Sequence, residues 1–529
     1  MVPPGPPPVA SECSARTGRP ARQLSTNTAF QTATVVEQVF GPEALKDPQV
    51  KSMLADLPRA MKAKGFDTET HAISGQFVTG YMSLVGRLAG LAADQAPIRK
   101  ALESFAGQDC GGTTDLAAGC GAEFARKFAD ALVREPMVQA DFGYIMETYN
   151  VTKGKYQAPK AYAAFVASVL ASAKSAMRFD NAEFDAKGTV DAATIGSRMA
   201  MTLTSGLPDA TLRAKIADGS ILDIDVRKEE SKRLMNTPAG RATLAHFADQ
   251  WLNLAELKSP PGKAGYVATR EESNAVALAA REEIGKLFEK AVTSGGQLID
   301  FYGTTEVRPS HDWLAKIYGT AKGTNLTAAG AARTGILSRA AFNLYGDFGE
   351  YIPLAHRGYA IKVTMLCGSI PPLPDNVDTT LPATAPDVMS SRQYFETLTQ
   401  VGACNECHKI MNPYGFALSD FSVTGERLVM EKVKNRKTNA LVDVGLNSEV
   451  SVMMDGSMRD VTDAASISKT LGESDQARAC FAHRYDQFAV GQREDFLCDE
   501  EGMENLPKNN LSLEDTIAAY VASSAFSAR

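Results

Sequence analysis

The chain has 529 residues, of which 44% are hydrophobic and 22% are charged, and its formal net charge is −7. This length exceeds what one ordinary core holds, so several domains are expected in a globular protein. Acidic residues outnumber basic ones, so no broad basic surface is expected, and this excludes nucleic acid as an expected partner.

The N-terminal segment, residues 1–25, begins with MVPPGPPPVASE and lacks the charged and apolar regions of a secretion signal. It is expected to form a proline-rich tether with polyproline character. The most apolar stretch, AYAAFVASVLASA at 161–173, is shorter than the roughly 20 residues that cross a bilayer. It predicts a buried helix, and no transmembrane segment is expected.

Helical periodicity dominates the rest of the chain. In TPAGRATLAHFADQWLNL, Thr237 is placed as an N-cap and Pro238 as the first helical residue. Apolar residues then recur every three or four positions, at Leu244, Phe247, Trp251 and Leu254. Residues 122–133 and 278–292 repeat this pattern, whereas LVDVGLNSEVSVMM at 441–454 predicts a short hairpin or extended loop. The expected fold class is mainly α.

The chain is expected to be a multi-domain helical scaffold. We predict an N-terminal helical domain at 26–180, a second helical domain at 181–345 and a distinct C-terminal region at 346–529. The proline-rich stretch IPPLPDNVDTTLPATAPD at 370–387 can form neither a helix nor a central strand, so it is expected to be an extended connector.

The C-terminal region contains a C-x-x-C-H motif formed by Cys404, Cys407 and His408. Two thiols three positions apart on a helical turn project to one side, where they can add to the two vinyl groups of haem. The adjacent histidine can then bind iron as the proximal ligand. The motif therefore predicts one covalently attached haem c in a cytochrome c-like module. A zinc site, a redox dithiol and a chance occurrence are the competing interpretations.

Residues downstream are candidates for the surroundings of the haem. Pro413 is placed to accept a hydrogen bond from the free imidazole nitrogen through its carbonyl, unless it only ends the helix. For the sixth ligand, the loop VMMDGSMRDV at 452–461 offers Met458 first and Met454 second. The alternatives are Met453, His356, His483 or an open position. Three aromatic residues could line the haem edge or belong to the core: Tyr414, Phe416 and Phe421.

Six further cysteines can form pairs. Cys110 and Cys120 bracket one glycine-rich stretch, Cys480 and Cys498 bracket another segment, and Cys13 and Cys367 remain. Three disulfides and one haem attachment would use every thiol. The alternative is that these six are free or buried thiols in a reducing compartment.

The segment CNECHKIMNPYGFALSDFSVTGER at 404–427 carries a resemblance to a known family. It resembles the C-x-x-C-H…D-P-x-G-F-A-x-E-x-F-D-x-x-G signature of large planctomycete and myxobacterial multidomain proteins of unknown function that end in a cytochrome c-like region. Four other stretches are similar to elements of these proteins, at 193–219, 247–254, 356–374 and 479–492. The chain departs from the pattern where Asn412 replaces the family's Asp, at 419–422, and at Gln492.

The resemblance implies an exported protein with one c-type haem, located in the periplasm or on the outer surface. Such proteins are often lipoproteins, so a lipid anchor on the full precursor is also implied. The pairs Cys110–Cys120 and Cys480–Cys498 resemble pairs of the myxobacterial-type members. The resemblance supplies a location and a cofactor but little reaction chemistry.

The function expected from these observations is electron transfer to a redox partner protein. No Walker loop, H-E-x-x-H motif or nucleophile elbow occurs in the sequence, so an electron carrier is favoured over a catalyst. A haem peroxidase or oxygenase-like enzyme with an open distal site is one alternative. The other is a binding or assembly protein that recognises a surface glycan or protein, with an ancillary haem.

Overall fold

The computed structural model describes residues 25–57, 66–68, 74–134, 136–178, 190–257, 269–330, 333–344, 351–371, 381, 384–400, 402–491 and 511–527. These ranges are mainly helical, as predicted. They leave out almost all of the predicted tether and most of the predicted connector at 370–387. No helix within them is long and apolar enough to cross a membrane.

The N-terminal half contains twelve α-helices among the described residues. In chain order they are α1 (Ala29–Phe40), α2 (Pro48–Asp56), α3 (Gly75–Asp94), α4 (Ala96–Ala106), α5 (Gly119–Val133), α6 (Gln139–Lys155), α7 (Ala158–Leu170), α8 (Ala173–Ala176), α9 (Ala192–Thr204), α10 (Ala210–Ala217), α11 (Ile224–Met235) and α12 (Pro238–Trp251).

The helices of the C-terminal half are α13 (Arg270–Thr293), α14 (Leu298–Tyr302), α15 (Asp312–Tyr318), α16 (Ala340–Asn343), α17 (Leu354–Ala360), α18 (Ser391–Thr399), α19 (Gly402–Phe416), α20 (Ala464–Glu473), α21 (Asp475–Val490), α22 (Leu513–Ala522) and α23 (Ser524–Ser527). A π-helical turn, Ile361–Met365, follows α17 directly. Short 3-10 turns lie at Ala44–Lys46, Ser220–Leu222, Leu254–Glu256 and Ile336–Ser338.

The strands form antiparallel pairs. Two pairs are only two residues long: β1 (Ser25–Thr26) with β2 (Met177–Arg178), and β3 (Glu306–Val307) with β4 (Thr327–Ala328). The longer hairpins are β5 (Met430–Lys434) with β6 (Leu441–Gly445) and β7 (Val450–Met454) with β8 (Ser457–Val461). The stretch 441–454, predicted as one hairpin or loop, therefore contributes one strand to each of two hairpins.

The chain forms two compact units. The first comprises Met1–Thr243, Asp486–Gly502 and Ile517–Arg529. Its apolar core includes the buried faces of α1 to α7, with the rings of Phe124 and Phe128 stacked at 5.5 Å. The apolar stretch at 161–173 supplies α7, which confirms the predicted buried helix.

The second unit comprises Leu244–Tyr485 and Met503–Thr516. An aromatic cluster lies around Trp251, whose ring centroid is 5.3 Å from that of Phe481 and 5.8 Å from that of Phe288. The Trp251 Nε1 donates to the carbonyl oxygen of Thr364 at 2.9 Å, which ties the π-helical turn to this cluster.

The predicted helix at 237–254 is confirmed as α12. The Thr237 hydroxyl accepts from the amide of Gly240 at 3.0 Å, and Pro238 is the first helical residue, as its missing N–H allows. Helices α5 and α13 contain the predicted segments 122–133 and 278–292. The predicted domain boundaries and the cytochrome c-like character of the C-terminal region stay predictions.

Candidate functional site

The C-x-x-C-H motif lies on α19 in the second unit. Cys404, Cys407 and His408 stand at positions i, i+3 and i+4 of this helix, so their side chains share one face. Cys404 is half-buried and Cys407 is buried, with its sulfur 3.6 Å from the carbonyl oxygen of Pro371. Both are thiols outside any disulfide. The helix therefore presents two thiols and an imidazole side by side.

A chain of hydrogen bonds holds the imidazole of His408. Its Nδ1 lies 2.9 Å from the Oδ1 of Asn412, one helical turn further on. The Nδ2 of Asn412 donates to the Thr399 hydroxyl at 3.1 Å, and this hydroxyl donates to the carbonyl of Phe395 at 2.6 Å. The structure thus brings an unpredicted residue of α18 into the surroundings of the motif. The i+4 spacing from His408 could have indicated Asn412, whereas Thr399 is recognisable only in three dimensions.

The structure places Pro413 in neither of its two predicted roles, the hydrogen-bond acceptor of His408 or the end of the helix. The partner of the His408 Nδ1 is the side chain of Asn412, not the carbonyl of Pro413. The physical reason is direction, because helical carbonyls point toward the C-terminus and His408 lies on the N-terminal side of Pro413. Pro413 also does not end the helix, which continues to Phe416.

Helix α17 packs against α19 with very close approach of their backbones. A Cβ atom on Gly415 would lie 1.8 Å from the carbonyl oxygen of Leu354. Only glycine permits this approach. Helix α17 also carries His356, one of the alternative sixth ligands. Desolvation by surrounding atoms, and then the charge of His408, lower the pKa of His356.

The fully buried guanidinium of Arg357 fixes the segment that follows the motif helix. Its nitrogens donate to four carbonyl oxygens at 2.7–2.9 Å, those of Asn343, Leu418, Phe421 and Ser422. Burial lowers the pKa of Arg357 to about 9. Three of the four carbonyls follow α19 within a few residues, so this one side chain closes the turn that leaves the motif helix.

The predicted methionine ligands lie on the β7–β8 hairpin. Asp455 and Gly456 form its two-residue turn, both with positive φ. Met458 is 58% exposed and pairs across the strands with Met453, which is 48% exposed. Met454 points to the other face and is fully buried. The predicted 452–461 loop forms a regular hairpin, with Met453 and Met458 on its exposed face and Met454 on its buried face.

The three aromatic residues after the motif are all buried. Tyr414 donates its hydroxyl to the carbonyl of Met453 at 2.5 Å, which joins α19 to β7, and burial raises the pKa of Tyr414 to about 12. The guanidinium of Arg392 lies 4.9 Å from the ring centroid of Phe416. The guanidinium of Arg333 lies 5.0 Å from that of Phe421.

The disulfides confirm one predicted pairing and correct two. Cys110 is bonded to Cys120, as predicted. Cys367 is bonded to Cys480. The predicted pairs Cys480–Cys498 and Cys13–Cys367 are therefore wrong, because each of these sulfurs forms only one disulfide. Cys13 and Cys498 lie outside the described residues. The Cys367–Cys480 bond joins the chain just after the π-helical turn to α21, a contact that spacing in the sequence could not indicate.

Two family models match parts of the chain. Residues 333–429 match PSCyt3, described as a protein of unknown function (DUF1588), and this range contains α16 to α19. Residues 190–320 match PSD4, described as a protein of unknown function (DUF1592). Both are planctomycete cytochrome-c-like domain families, which fits the resemblance drawn from the motifs.

No curated protein and no solved structure matches the chain. In the described ranges, no group of three or more His, Cys, Asp and Glu side chains converges as a metal-ion cluster would require.

Proposed function

We propose that the chain is an exported c-type cytochrome that transfers electrons to a redox partner protein. Cys404 and Cys407 attach one haem covalently, and His408 is its proximal ligand. In the attachment, each thiol adds across a vinyl group of the haem. A carbon–sulfur bond forms, the thiol hydrogen passes to the neighbouring vinyl carbon, and no external oxidant is needed. The attached haem supplies an iron that alternates between the ferric and ferrous states.

The observation that carries this proposal is the state of the cysteines. Cys404 and Cys407 are the two thiols that stay outside disulfides among the described residues. They lie on one face of α19, beside an imidazole whose Nδ1 is already hydrogen-bonded, so its Nε2 is the nitrogen left to bind iron. This donor set fits a haem c.

Rigid support of α19 suits electron transfer, because little rearrangement is then needed when the iron changes charge. The glycine crossing with α17, the Arg357 carbonyl contacts and the Tyr414 hydrogen bond supply that support. The two disulfides support an oxidising compartment such as the periplasm or the outer surface.

The attachment can be tested by acid–acetone extraction of protein matured in a bacterial periplasm. We expect the wild type to keep its haem, and the Cys404→Ser/Cys407→Ser variant to lose it. The matched control is Cys110→Ser/Cys120→Ser, which also removes two sulfurs but should keep the haem. Covalent haem in the first variant, or none in the wild type, would overturn the proposal.

A second measurement separates electron transfer from catalysis. We expect a low-spin reduced spectrum that carbon monoxide leaves unchanged, because His408 and a methionine ligand would leave the iron no open position. Rapid binding of carbon monoxide would favour an enzyme with an open distal site.

A further inference from the structure

We propose that Asn412 is a positioning residue that fixes His408 in the tautomer able to bind iron and that keeps negative charge away from this ligand. The inference rests on the proposed haem attachment and concerns how the chain tunes it. It assigns a role to a side chain that touches neither the iron nor the thiols.

The direction of each hydrogen bond follows from its neighbours. The Thr399 hydroxyl donates its only hydrogen to the carbonyl of Phe395, so its oxygen is left to accept from Asn412. This turns the Nδ2 of Asn412 toward Thr399 and its Oδ1 toward His408. An amide oxygen only accepts, so the Nδ1 of His408 must carry the hydrogen. The neutral ring then presents its lone pair at Nε2.

Burial makes this arrangement firm. Asn412 and Thr399 are each 5% exposed, so water does not compete for their hydrogen bonds. Both atoms of the amide group are used, and a reversed amide would set its oxygen against the Thr399 oxygen, which has no hydrogen left to donate. Asparagine is less favourable than alanine in a helix interior. Here its two hydrogen bonds offset that cost.

The neutral amide has an electronic consequence. A histidine ligand that donates to a carboxylate becomes a stronger electron donor and stabilises the ferric iron more. Asn412 accepts the same hydrogen bond without the charge. The reduction potential of this chain is therefore higher than it would be with an aspartate at the same position.

The Asn412→Asp variant tests this directly, because it changes the shape very little and adds one carboxylate. We expect an unchanged haem content and a lower midpoint potential in a redox titration. The matched control is Asn435→Asp at the exposed β5–β6 turn, where the Asn435 Oδ1 accepts from the amides of Lys437 and Thr438. An aspartate can make the same contacts there, so the control should leave the potential unchanged.

A second pair of variants covers the case in which a buried aspartate prevents folding. Thr399→Val removes the hydroxyl that orients the amide, which weakens the hydrogen bond from the His408 Nδ1 to the Asn412 oxygen, so we expect a higher potential. Thr399→Ser should restore the wild-type value. Equal potentials in the wild type, Asn412→Asp and Thr399→Val, all with haem bound, would overturn the role of Asn412 and leave the proposed function intact. Absence of covalent haem from the wild type would instead overturn the proposed function.

Discussion

Gly358 of α17 and Gly415 of α19 lie in direct backbone contact. A Cβ atom on either glycine would lie 2.9 Å from the amide nitrogen of the other. The Gly358 Cβ would also lie 2.0 Å from the carbonyl oxygen of Met411. Backbone atoms cannot move aside as the end of a flexible side chain can. The helix that carries Cys404, Cys407 and His408 is therefore held in place by the absence of side chains at two positions.

Gly415→Ala should destabilise the second unit. We expect a loss of about 1–3 kcal/mol of unfolding free energy in urea, the range found for overpacked sites, together with a lower yield of haem-bearing protein. Gly86→Ala in α3 is the matched control, because a Cβ atom there meets nothing within 4 Å. That substitution should raise the unfolding free energy by about 0.5–1 kcal/mol. Similar unfolding midpoints for both variants would contradict the close helix crossing.

Met458→Ala should remove the methionine-to-iron charge-transfer band from the far-red absorption of the oxidised protein. Because Met458 is exposed on the hairpin, the substitution should change the unfolding free energy by no more than about 0.5 kcal/mol. Its cross-strand partner provides the control, since Met453→Ala also removes an exposed thioether from the same face and should keep the band.

If the band persists in Met458→Ala, the ligand assignment moves to Met454. That residue is fully buried, so Met454→Ala should lower the unfolding free energy by about 2–5 kcal/mol. It should also remove the charge-transfer band. Persistence of the band in both Met458→Ala and Met454→Ala would direct attention to His356 of α17, one of the alternative sixth ligands.

The two disulfides should differ in their contribution to stability. Cys367 and Cys480 are 113 residues apart, whereas Cys110 and Cys120 are 10 apart. Loop-closure entropy then predicts losses of about 5 kcal/mol for Cys367→Ser/Cys480→Ser and about 3 kcal/mol for Cys110→Ser/Cys120→Ser. Peptide mapping without reduction should recover a linked Cys367–Cys480 peptide. A peptide linking Cys480 to Cys498 would contradict this pairing.

Asp47 should make the first unit sensitive to acid. It caps α2, and its hydrogen bonds with Arg87 and then the amide of Val50 lower the pKa of Asp47 from 3.8 to about 2. A carboxyl with a lowered pKa in the folded state stabilises the protein above its unfolded pKa, and this stability is lost as the pH falls through the folded pKa. Asn is an equally good N-cap but does not titrate.

Asp47→Asn should therefore flatten the fall in thermal stability between about pH 4 and pH 2. Arg87→Gln removes the cation beside Asp47 and should flatten this fall in thermal stability in part. A profile for Asp47→Asn that parallels the wild type would show that this carboxyl does not govern the acid response.

Structural features that depend on residues close together in the chain could be predicted from local signals in the sequence. Thr237, Pro238 and the apolar spacing that follows them define α12, and Cys110 and Cys120 bracket a short loop that their bond closes. The sequence placed 452–461 in a loop, but the register that pairs Met453 with Met458 needs the second strand.

Features that depend on distant residues could not be predicted. Four cysteines allow three pairings, and the nearest partner of Cys480 in the sequence is not the one it bonds. The contact between Asn412 and Thr399 joins two helices, and nothing in the order of residues indicates which side chains meet there. The proline after the motif suggested a backbone acceptor for His408, but continuation of α19 through Pro413 leaves that role to Asn412.

The central claim is that Cys404 and Cys407 hold a haem. The most direct test is mass spectrometry of a proteolytic peptide that spans α19, prepared from protein matured in a periplasm with haem-attachment machinery. We predict one peptide that contains both cysteines and His408 and that carries the mass of one haem after full denaturation. An unmodified peptide with two free thiols, or with a Cys404–Cys407 disulfide, would contradict the account.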